Sequence, residues 1–599
     1  MTPSAEPPPT NIATSTEATS PARRSLAAGV SAVVAIALLA VAPLLPTLRA
    51  AFVYDDTTII RDNVLLRGWG ALLRVWAEPY WPSDGVDALG LYRPLHVALL
   101  ATVWNASGGS ARWMHVYALT LAALTALGVW WMLRRGAGAG AAIVGAAWFA
   151  TQPLHVEAIA SVANSSELVV VLCTTALVWA IGTLQPAPEN PRRDWLRAGA
   201  IGLVAAAAIS TKESGLLSVP LAALTVWGWQ RNERTEPLGH FLRRNTRTWL
   251  GALVGVTAVL LARVVVLGAP VSHASIAAQG LSTLSTGERV SVMMSLWPRI
   301  AGMLLWPTDL SPYYGPTIFP SHRTGFALLS ATIALALAGI CVAMARRGDR
   351  RPLVALGWVV LTYFPASNLV AATGQILSDR TLFGATVGGA FAITWGLDRL
   401  PQFGRRVAMA IIGLVMARGL LVGTHYAIAW TSHRSLWTRL AESQPNEHLS
   451  YKLLGMDARA RGDTARALEL LERAYAMAPA DRQIRFELGQ AQYSARKFGP
   501  AAFTLAPLLK DGDARAEPGF IALYLDAVGR ASGPEAVVRA ASALMHSETA
   551  SVAALFLGVA LEQLGRPSAA DSAYVAGLAR HPGDSALVAR RAALRGNGS

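Results

Sequence analysis

The stretch RRSLAAGVSAVVAIALLAVAPLLPTL, residues 23–48, decides the architecture of this 599-residue chain. Two arginines precede an apolar run from Leu26 to Leu48, which is longer than the ~7–15 residues of a signal-peptide core. The run supplies the ~20 residues that a membrane-spanning helix needs. We therefore predict an uncleaved first transmembrane helix after a disordered cytoplasmic tail, residues 1–24, which is rich in Pro, Ser, Thr and Ala.

Apolar segments recur along the chain up to about residue 425. Hydrophobic residues make up 53% of the chain and charged residues 15%, whereas soluble domains carry about 25% charged residues. This balance favours a membrane protein and excludes a disordered one. We predict an all-α polytopic domain over residues 25–430 with about eleven transmembrane helices. After the first, the segments lie at about 114–133, 140–154, 166–184, 196–210, 214–230, 249–268, 324–345, 353–370, 380–397 and 406–425.

The net charge of +15 comes almost entirely from arginine, because lysine occurs only at positions 212, 452, 497 and 510. In a soluble protein, such a positive charge would suggest a nucleic-acid partner. Here the arginine clusters occupy alternate loops, as the positive-inside rule requires, so the charge is a topology signal and we expect no nucleic-acid binding. The rule puts the N-terminus in the cytoplasm and the C-terminal region outside, with long outer loops at 49–112 and 269–322.

The C-terminal region, residues 447–599, loses the apolar runs and repeats a pattern of small residues. Leu454-Gly455 and Ala467 recur 34 residues later as Leu488-Gly489 and Ala501. This period is typical of tetratricopeptide repeats, which stack helical hairpins into an α-solenoid whose concave side usually binds peptide. The alternative is a generic α-helical domain.

Two adjacent carboxylates, Asp55 and Asp56, follow the predicted first span. Near the membrane surface they suit a general base or a cation site, and the alternative is a solvated loop end. Cys173 and Cys341 lie inside apolar runs. The cysteines therefore offer neither a disulfide framework nor the spacing of metal ligands.

Two cations lie on the same predicted outer face, where a charge near the membrane is costly unless it has a role. Arg93 follows Tyr92 at the start of a short interfacial helix and suits either a phosphate or a lipid headgroup. Lys212 is the only lysine before Lys452. Its compact ammonium suits a phosphate, and the alternative is a local ion pair with Glu213.

Two further polar pairs lie at predicted span ends. His155 and Glu157 have a spacing that can ligate a metal. No third ligand is near, so we predict no metal site, and hydrogen bonding at a helix end is the alternative. Arg380 opposes the positive-inside bias and needs either a ligand or a partner such as Asp379. Carboxylates and cations gathered at one membrane face fit a lipid-linked phosphate substrate.

Six short motifs occur in this order along the chain: Asp55-Asp56, Tyr92-Arg93-Pro94-Leu95, Pro153-Leu154-His155-Val156-Glu157-Ala158, Thr211-Lys212-Glu213-Ser214-Gly215, Pro365-Ala366-Ser367-Asn368 and Asp379-Arg380. In this order they resemble transmembrane and tetratricopeptide-repeat-containing protein O-mannosyltransferases of the GT-C superfamily of membrane glycosyltransferases. The resemblance covers about residues 25–590. This chain has Asp379 where the family usually has Glu, and Gln152 where it usually has His.

The resemblance implies transfer of a sugar, expected to be mannose, from a polyprenyl-phosphate donor to Ser or Thr hydroxyls of extracytoplasmic protein, with inversion. It implies an acidic residue of the first outer loop as catalytic base, and between Asp55 and Asp56 we choose the first of the pair. The expected cofactor is none beyond the donor. The lipid phosphate would be held by Arg93, Lys212 and Arg380, supported by Tyr92, His155, Glu157, Glu213 and Asp379.

The arginine-rich, lysine-poor composition suggests a bacterium with a GC-rich genome. The protein would then lie in the inner membrane, use an undecaprenyl carrier and present periplasmic repeats to the acceptor polypeptide. Two other functions remain open at this point. One is a non-enzymatic, membrane-anchored repeat scaffold, and the other is a GT-C enzyme that glycosylates lipid or glycan.

Overall fold

The computed structural model describes residues 21–81, 90–184, 186, 189–230, 236–268, 278, 280–510, 517–547 and 549–596. All regular secondary structure in these ranges is helical. Most of the predicted tail, residues 1–20, lies outside the described residues. Helix α1 begins at Pro21, so residues 21–24 are helical rather than part of a tail.

The chain divides into two compact units, of which the first comprises residues 1–310 and 319–431. Short 3-10 segments and one π-helical turn, Thr57–Arg61, connect its α-helices. The α-helices are α1 Pro21–Val41, α2 Ala71–Arg74, α3 Pro94–Ser107, α4 Ala111–Arg134, α5 Ala139–Ala150, α6 His155–Ala160, α7 Ser166–Thr183, α8 Pro191–Thr211, α9 Ser218–Gly228, α10 Leu238–Arg244, α11 Thr246–Leu267, α12 Thr286–Ser295, α13 Trp297–Leu305, α14 Arg323–Arg346, α15 Arg351–Tyr363, α16 Phe383–Arg399 and α17 Gln402–Ala429.

Among the described residues, six helices are long and apolar enough to cross a membrane. The other predicted spans are helical as well, but they are shorter or more polar, as in α5, α8, α9, α15 and α16. The prediction of an all-helical chain with several membrane-capable helices is confirmed, while the number of eleven stays a prediction. The six are Gly29–Arg49, Ala111–Arg134, Val162–Thr183, Thr246–Leu267, Arg323–Arg346 and Gln402–Ala429.

Helices α8 and α11 run parallel and pack backbone against backbone. Near their starts, Arg197 donates to Thr248 at 2.7 Å. Past the end of α8, Glu213 contacts Arg263 near the end of α11. Between these contacts, a Cβ added to Gly251 would lie within 3 Å of the Ala198 backbone. Small residues allow this close approach in membrane helices, and the crossing fixes where the ends of both helices lie.

The second unit comprises residues 311–318 and 432–599, so a short part of the predicted outer loop 269–322 groups with the C-terminal region. It has two apolar cores, one built around Leu471 and one around Leu525 and Tyr574. Its helices are α18 His433–Ser443, α19 His448–Ala460, α20 Thr464–Met477, α21 Arg482–Ser494, α22 Phe498–Leu505, α23 Pro518–Ser532, α24 Pro534–Ser542, α25 Ala550–Gln563, α26 Pro567–Arg580 and α27 Ser585–Gly596.

Consecutive helices of this unit pack as hairpins through glycines. A Cβ added to Gly455 in α19 would lie within 3 Å of Leu471 in α20, and the same holds for Gly489 in α21 against Leu505 in α22. Both pairs have the same spacing along the chain, and the two glycines are one predicted repeat apart. The small residues of the sequence pattern are thus the positions where paired helices touch.

Candidate functional site

Asp55 and Asp56 lie on a turn that sends their side chains to different surroundings. At Tyr54, directly before the pair, φ is 56°, a left-handed conformation that is uncommon outside glycine. A π-helical turn, Thr57–Arg61, follows. Asp55 lines a cavity of about 580 Å³, whereas Asp56 does not contribute to its lining. Strained backbone of this kind clusters at functional sites.

Asp56 is fully buried and holds the segment between α6 and α7. Its carboxylate accepts hydrogen bonds from the Ser161 hydroxyl at 3.1 Å, the Val162 amide at 3.1 Å and the Ala163 amide at 2.8 Å. Burial raises the pKa of Asp56 to about 7, against the opposing effect of these donors. Asp56 therefore stabilises a segment of the cavity wall that includes Asn164, and it does not itself line the cavity.

Arg380 joins two carboxylates at one side of the cavity. Its Nη1 lies 3.1 Å from Oδ2 of Asp55 and 3.3 Å from Oε1 of Glu157. Glu157 is buried and also accepts from the Arg380 amide at 2.9 Å and the Ser378 hydroxyl at 3.1 Å. The predicted neighbour Asp379 is buried too. Arg380 thus has partners that are far away in sequence.

Two arginines share one carboxylate at another side of the cavity. Nη2 of Arg93 lies 2.7 Å from Oε2 of Glu213, and Nη1 of Arg263 lies 3.5 Å from Oε1 of the same residue. Arg263 also donates to the Gly90 carbonyl, and Arg93 lies 4.8 Å from the centre of the Tyr80 ring. Both arginine side chains are only 13% exposed. Arg93 is therefore a cavity residue and not an exposed headgroup anchor.

Lys212 pairs with Glu167 on α7 and not with its sequence neighbour. Burial lowers the pKa of Lys212, the guanidinium groups of Arg93 and Arg380 act in the same direction, and Glu167 opposes them. The alternative of a local pair with Glu213 is wrong, because Glu213 is bound by the two arginines. Lys212 is therefore close enough to Arg93 and Arg380 for their charges to affect its ionisation.

His155 and Tyr92 lie outside the cavity lining. His155 packs between Phe149 and Phe383, and its Nε2 lies 2.8 Å from Oγ1 of Thr386. It shares no partner with Glu157, so the two do not act as a ligand pair. Over the part of the chain that the structure describes, no group of three or more His, Cys, Asp or Glu side chains could hold a metal ion. Tyr92 donates to the Trp76 carbonyl at 2.8 Å.

Arg263 is the site residue that the sequence reasoning missed. It is the one charged residue of the predicted span 249–268, and a lone arginine in an apolar run is itself a signal of function. Glu167 was missed as the partner of Lys212 for a different reason. Their 45-residue separation along the chain gives no local pattern to read.

A second cavity, an apolar groove of about 690 Å³, lies beside the charged one. Leu216, close after Glu213 in the chain, lines the groove, and Leu217 lines the charged cavity. The two cavities therefore share one wall segment. The rest of the groove is formed by residues of α9, α10, α11 and α15, among them Trp227, Phe241, Trp249 and Leu353.

The fold and the site define a multi-pass membrane protein with a charged cavity in its helical domain. Curated proteins similar to this chain are named protein O-mannosyl-transferases. Tmtc3 of Drosophila melanogaster is 23% identical over 552 residues, which are 80% of this chain and 59% of the relative. TMTC3 of Homo sapiens is 20% identical over 573 residues, 89% of this chain and 62% of the relative.

A third relative, Tmtc2 of Drosophila melanogaster, is 32% identical over 186 residues, 30% of this chain and 20% of the relative. No family model matches the chain. The chain spans about three fifths of the length of the two TMTC3 proteins. At low identity, these relatives support the predicted family and a membrane glycosyltransferase.

Proposed function

We propose that this protein transfers a sugar, mannose by its resemblance to the named relatives, from a polyprenyl-phosphate carrier to Ser or Thr hydroxyls of a polypeptide. The observation that carries the proposal is one cavity that gathers the Asp55 carboxylate with Arg93, Lys212, Arg263 and Arg380. A base and several cations are what displacement of a phosphate leaving group requires.

The proposed step is a single displacement. The acceptor oxygen forms a bond to the anomeric carbon while the bond from that carbon to the phosphate oxygen breaks, which inverts the configuration. Asp55 accepts the hydroxyl proton. The electron pair leaves with the phosphate, whose charge rises from −1 to −2 and is stabilised by the cavity cations. Asp56, the other carboxylate of the pair, holds a segment of the cavity wall and is not the base.

The apolar groove supports a lipid-linked donor. A polyprenyl chain attached to a phosphate in the charged cavity needs an adjacent apolar surface, since exposing its methylene groups to water is costly. The groove offers such a surface close to the charged cavity, because Leu216 lines the groove and its neighbour Leu217 lines the cavity. The lipid bilayer is then both the environment of the enzyme and the source of its donor.

We further propose the arrangement that the sequence predicts: eleven spans, a cytoplasmic N-terminus, and tetratricopeptide repeats in the periplasm of a bacterial inner-membrane protein. The support is the arginine distribution for the orientation and the glycine-packed hairpins for the repeats. The repeats would select the acceptor polypeptide. A lipid or glycan acceptor, or a scaffold without activity, is the alternative that the assays below distinguish.

The proposed base is tested by Asp55→Asn, which keeps the shape of the side chain and removes the proton acceptor. We expect mannose transfer in membranes to fall by about 100-fold or more. Asp62→Asn is the matched control, because Asp62 lies on the same loop but is exposed and paired with Arg61. Full activity in Asp55→Asn would exclude Asp55 as the base.

A further inference from the structure

The charged residues that line the cavity, together with the buried Glu157 that is bonded to one of them, form three groups, of which two differ in net charge. The first, which we call the phosphate half, consists of Arg93, Arg263 and Glu213. The second, the base half, consists of Asp55, Glu157 and Arg380. Each half is held together by direct ion pairs, so its net charge is a property of the half as a whole.

The phosphate half carries a surplus positive charge, because two guanidinium groups share one carboxylate. Burial opposes ionisation of Glu213, but Arg93 holds its pKa below the ordinary value, so the carboxylate stays charged. The base half has two carboxylates around one guanidinium and no positive surplus. Lys212 and Glu167 form a further pair that is neutral overall.

From this asymmetry, and resting on the proposed function, we infer that the donor's phosphate binds at Arg93 and Arg263, whereas Arg380 positions Asp55. Arg263 thereby becomes a phosphate-binding residue that the sequence reasoning did not select. Arg380 moves from the predicted phosphate set to a positioning role. Its guanidinium is already committed to two carboxylates at 3.1 and 3.3 Å.

The ligand that fits the phosphate half is a phosphodiester. A diester carries one negative charge at neutral pH and so matches the single surplus charge of the two arginines. Arginine forks suit phosphate oxygens because they present paired donors. The location agrees with this assignment, since Leu216, which follows shortly after Glu213 in the chain, lines the apolar groove, where a lipid tail could pack.

The test measures binding to the purified full-length protein at pH 5, with farnesyl phosphate as probe, because this monoester carries mostly one negative charge at that pH, as the donor's diester does. Turnover (kcat) is measured separately in the membrane transfer assay. We expect Arg263→Gln to weaken binding at least tenfold and Arg263→Lys to weaken it less, because the charge is retained. Arg380→Gln should change binding less than threefold while lowering kcat. Arg418→Gln is the control, because Arg418 packs on Trp306 and bonds the Pro307 carbonyl away from the cavity.

Two results would overturn the inference. One is retained binding in Arg263→Gln with loss of binding in Arg380→Gln at unchanged melting temperatures, which would return the phosphate to Arg380 and leave the proposed transfer intact. The other is competition by inorganic phosphate at concentrations similar to those of farnesyl phosphate, which would exclude a lipid-linked ligand. If sugar transfer fails while Arg263→Gln still loses farnesyl phosphate, only the proposed function is contradicted.

Discussion

Asp55 and Asp56 are adjacent in the chain, but their carboxylates have different tasks. Asp55 lines the cavity and contacts Arg380 at 3.1 Å. Asp56 is fully buried and receives three hydrogen bonds from the Ser161–Ala163 segment. The left-handed backbone at Tyr54 precedes the point where the two side chains separate. The role of each of these two carboxylates therefore depends on which donor groups surround it.

The raised pKa of Asp56 predicts a pH-dependent stability. The unfolded chain releases this proton near pH 3.8, whereas the folded protein keeps it until about pH 7. The folded state therefore binds more protons in this window, and its stability falls as pH rises, by up to about 1.4 kcal/mol per pH unit. Asp56→Asn removes that slope, although its amide loses one backbone hydrogen bond and lowers stability overall.

The measurement is the melting temperature of the detergent-solubilised protein between pH 4.5 and 7.5. The difference between the wild type and Asp56→Asn isolates the contribution of this residue, and it should shrink steadily as pH rises. A difference that stays constant, or that grows with pH, would show that Asp56 is ionised throughout the window.

The sequence alone identifies residues that the structure brings to one cavity, but it does not identify their partners. The cost of a charge near a membrane singles out Asp55, Arg93, Lys212 and Arg380, and all four line the cavity. Their pairing could not be predicted, since each ion pair joins segments that are distant along the chain. Arg380 and Asp55, for example, are separated by 325 positions.

At the scale of the element, the crossing of α8 and α11 sets the position of the phosphate half. Lys212 and Glu213 follow the end of α8, and Arg263 lies near the end of α11. Because both helices run in the same direction, a shift at their crossing moves these groups against one another. Gly251 and Gly255 make the crossing possible, since each faces backbone of α8.

The crossing is tested by Gly251→Ala. The added methyl would lie within 3 Å of the Ala198 backbone, so the helices must separate. Overpacking of this kind typically costs about 1–3 kcal/mol. We expect a lower melting temperature together with weaker farnesyl phosphate binding, both measured on the purified protein.

Gly413→Ala in α17 is the matched control, because nothing lies within 4 Å of a Cβ at that position. It should leave the melting temperature unchanged or raise it, since alanine favours helix over glycine by about 0.5–1 kcal/mol. Equal effects of the two substitutions would mean that the close approach of α8 and α11 does not hold the site.

Helices were the most predictable elements, because an apolar run of adequate length has few alternatives to a helix. Only some of the shorter helices could be predicted: the one that begins at Pro94 could, whereas α12 and α13 could not. The outer loop at 269–322 contains α12 and α13, whose sequences are too short and too polar to stand out as spans. Their boundaries depend on capping and packing, as in the Ser285–Glu288 capping box that begins α12.

Across the whole molecule, the many arginines fall into two groups. Some cluster in the predicted cytoplasmic loops, and others line the charged cavity. Some of the arginines in the predicted cytoplasmic loops pair with carboxylates at the same predicted face, as Arg351 does with Asp349 and Asp398. The arginines of the cavity instead pair across the fold and leave one surplus charge beside Glu213. The net charge of +15 therefore does not by itself show where a ligand binds, which depends on the position of each arginine.

Sugar transfer from a lipid-linked donor to protein can be measured directly. The full-length protein in membranes is given polyprenyl-phosphate mannose with a radiolabelled sugar, and the label is counted in protein, lipid and water-soluble fractions. We expect label in protein that is released by alkaline β-elimination and is absent with Asp55→Asn. Label that enters only lipid or glycan, or that never leaves the donor, would contradict this expectation.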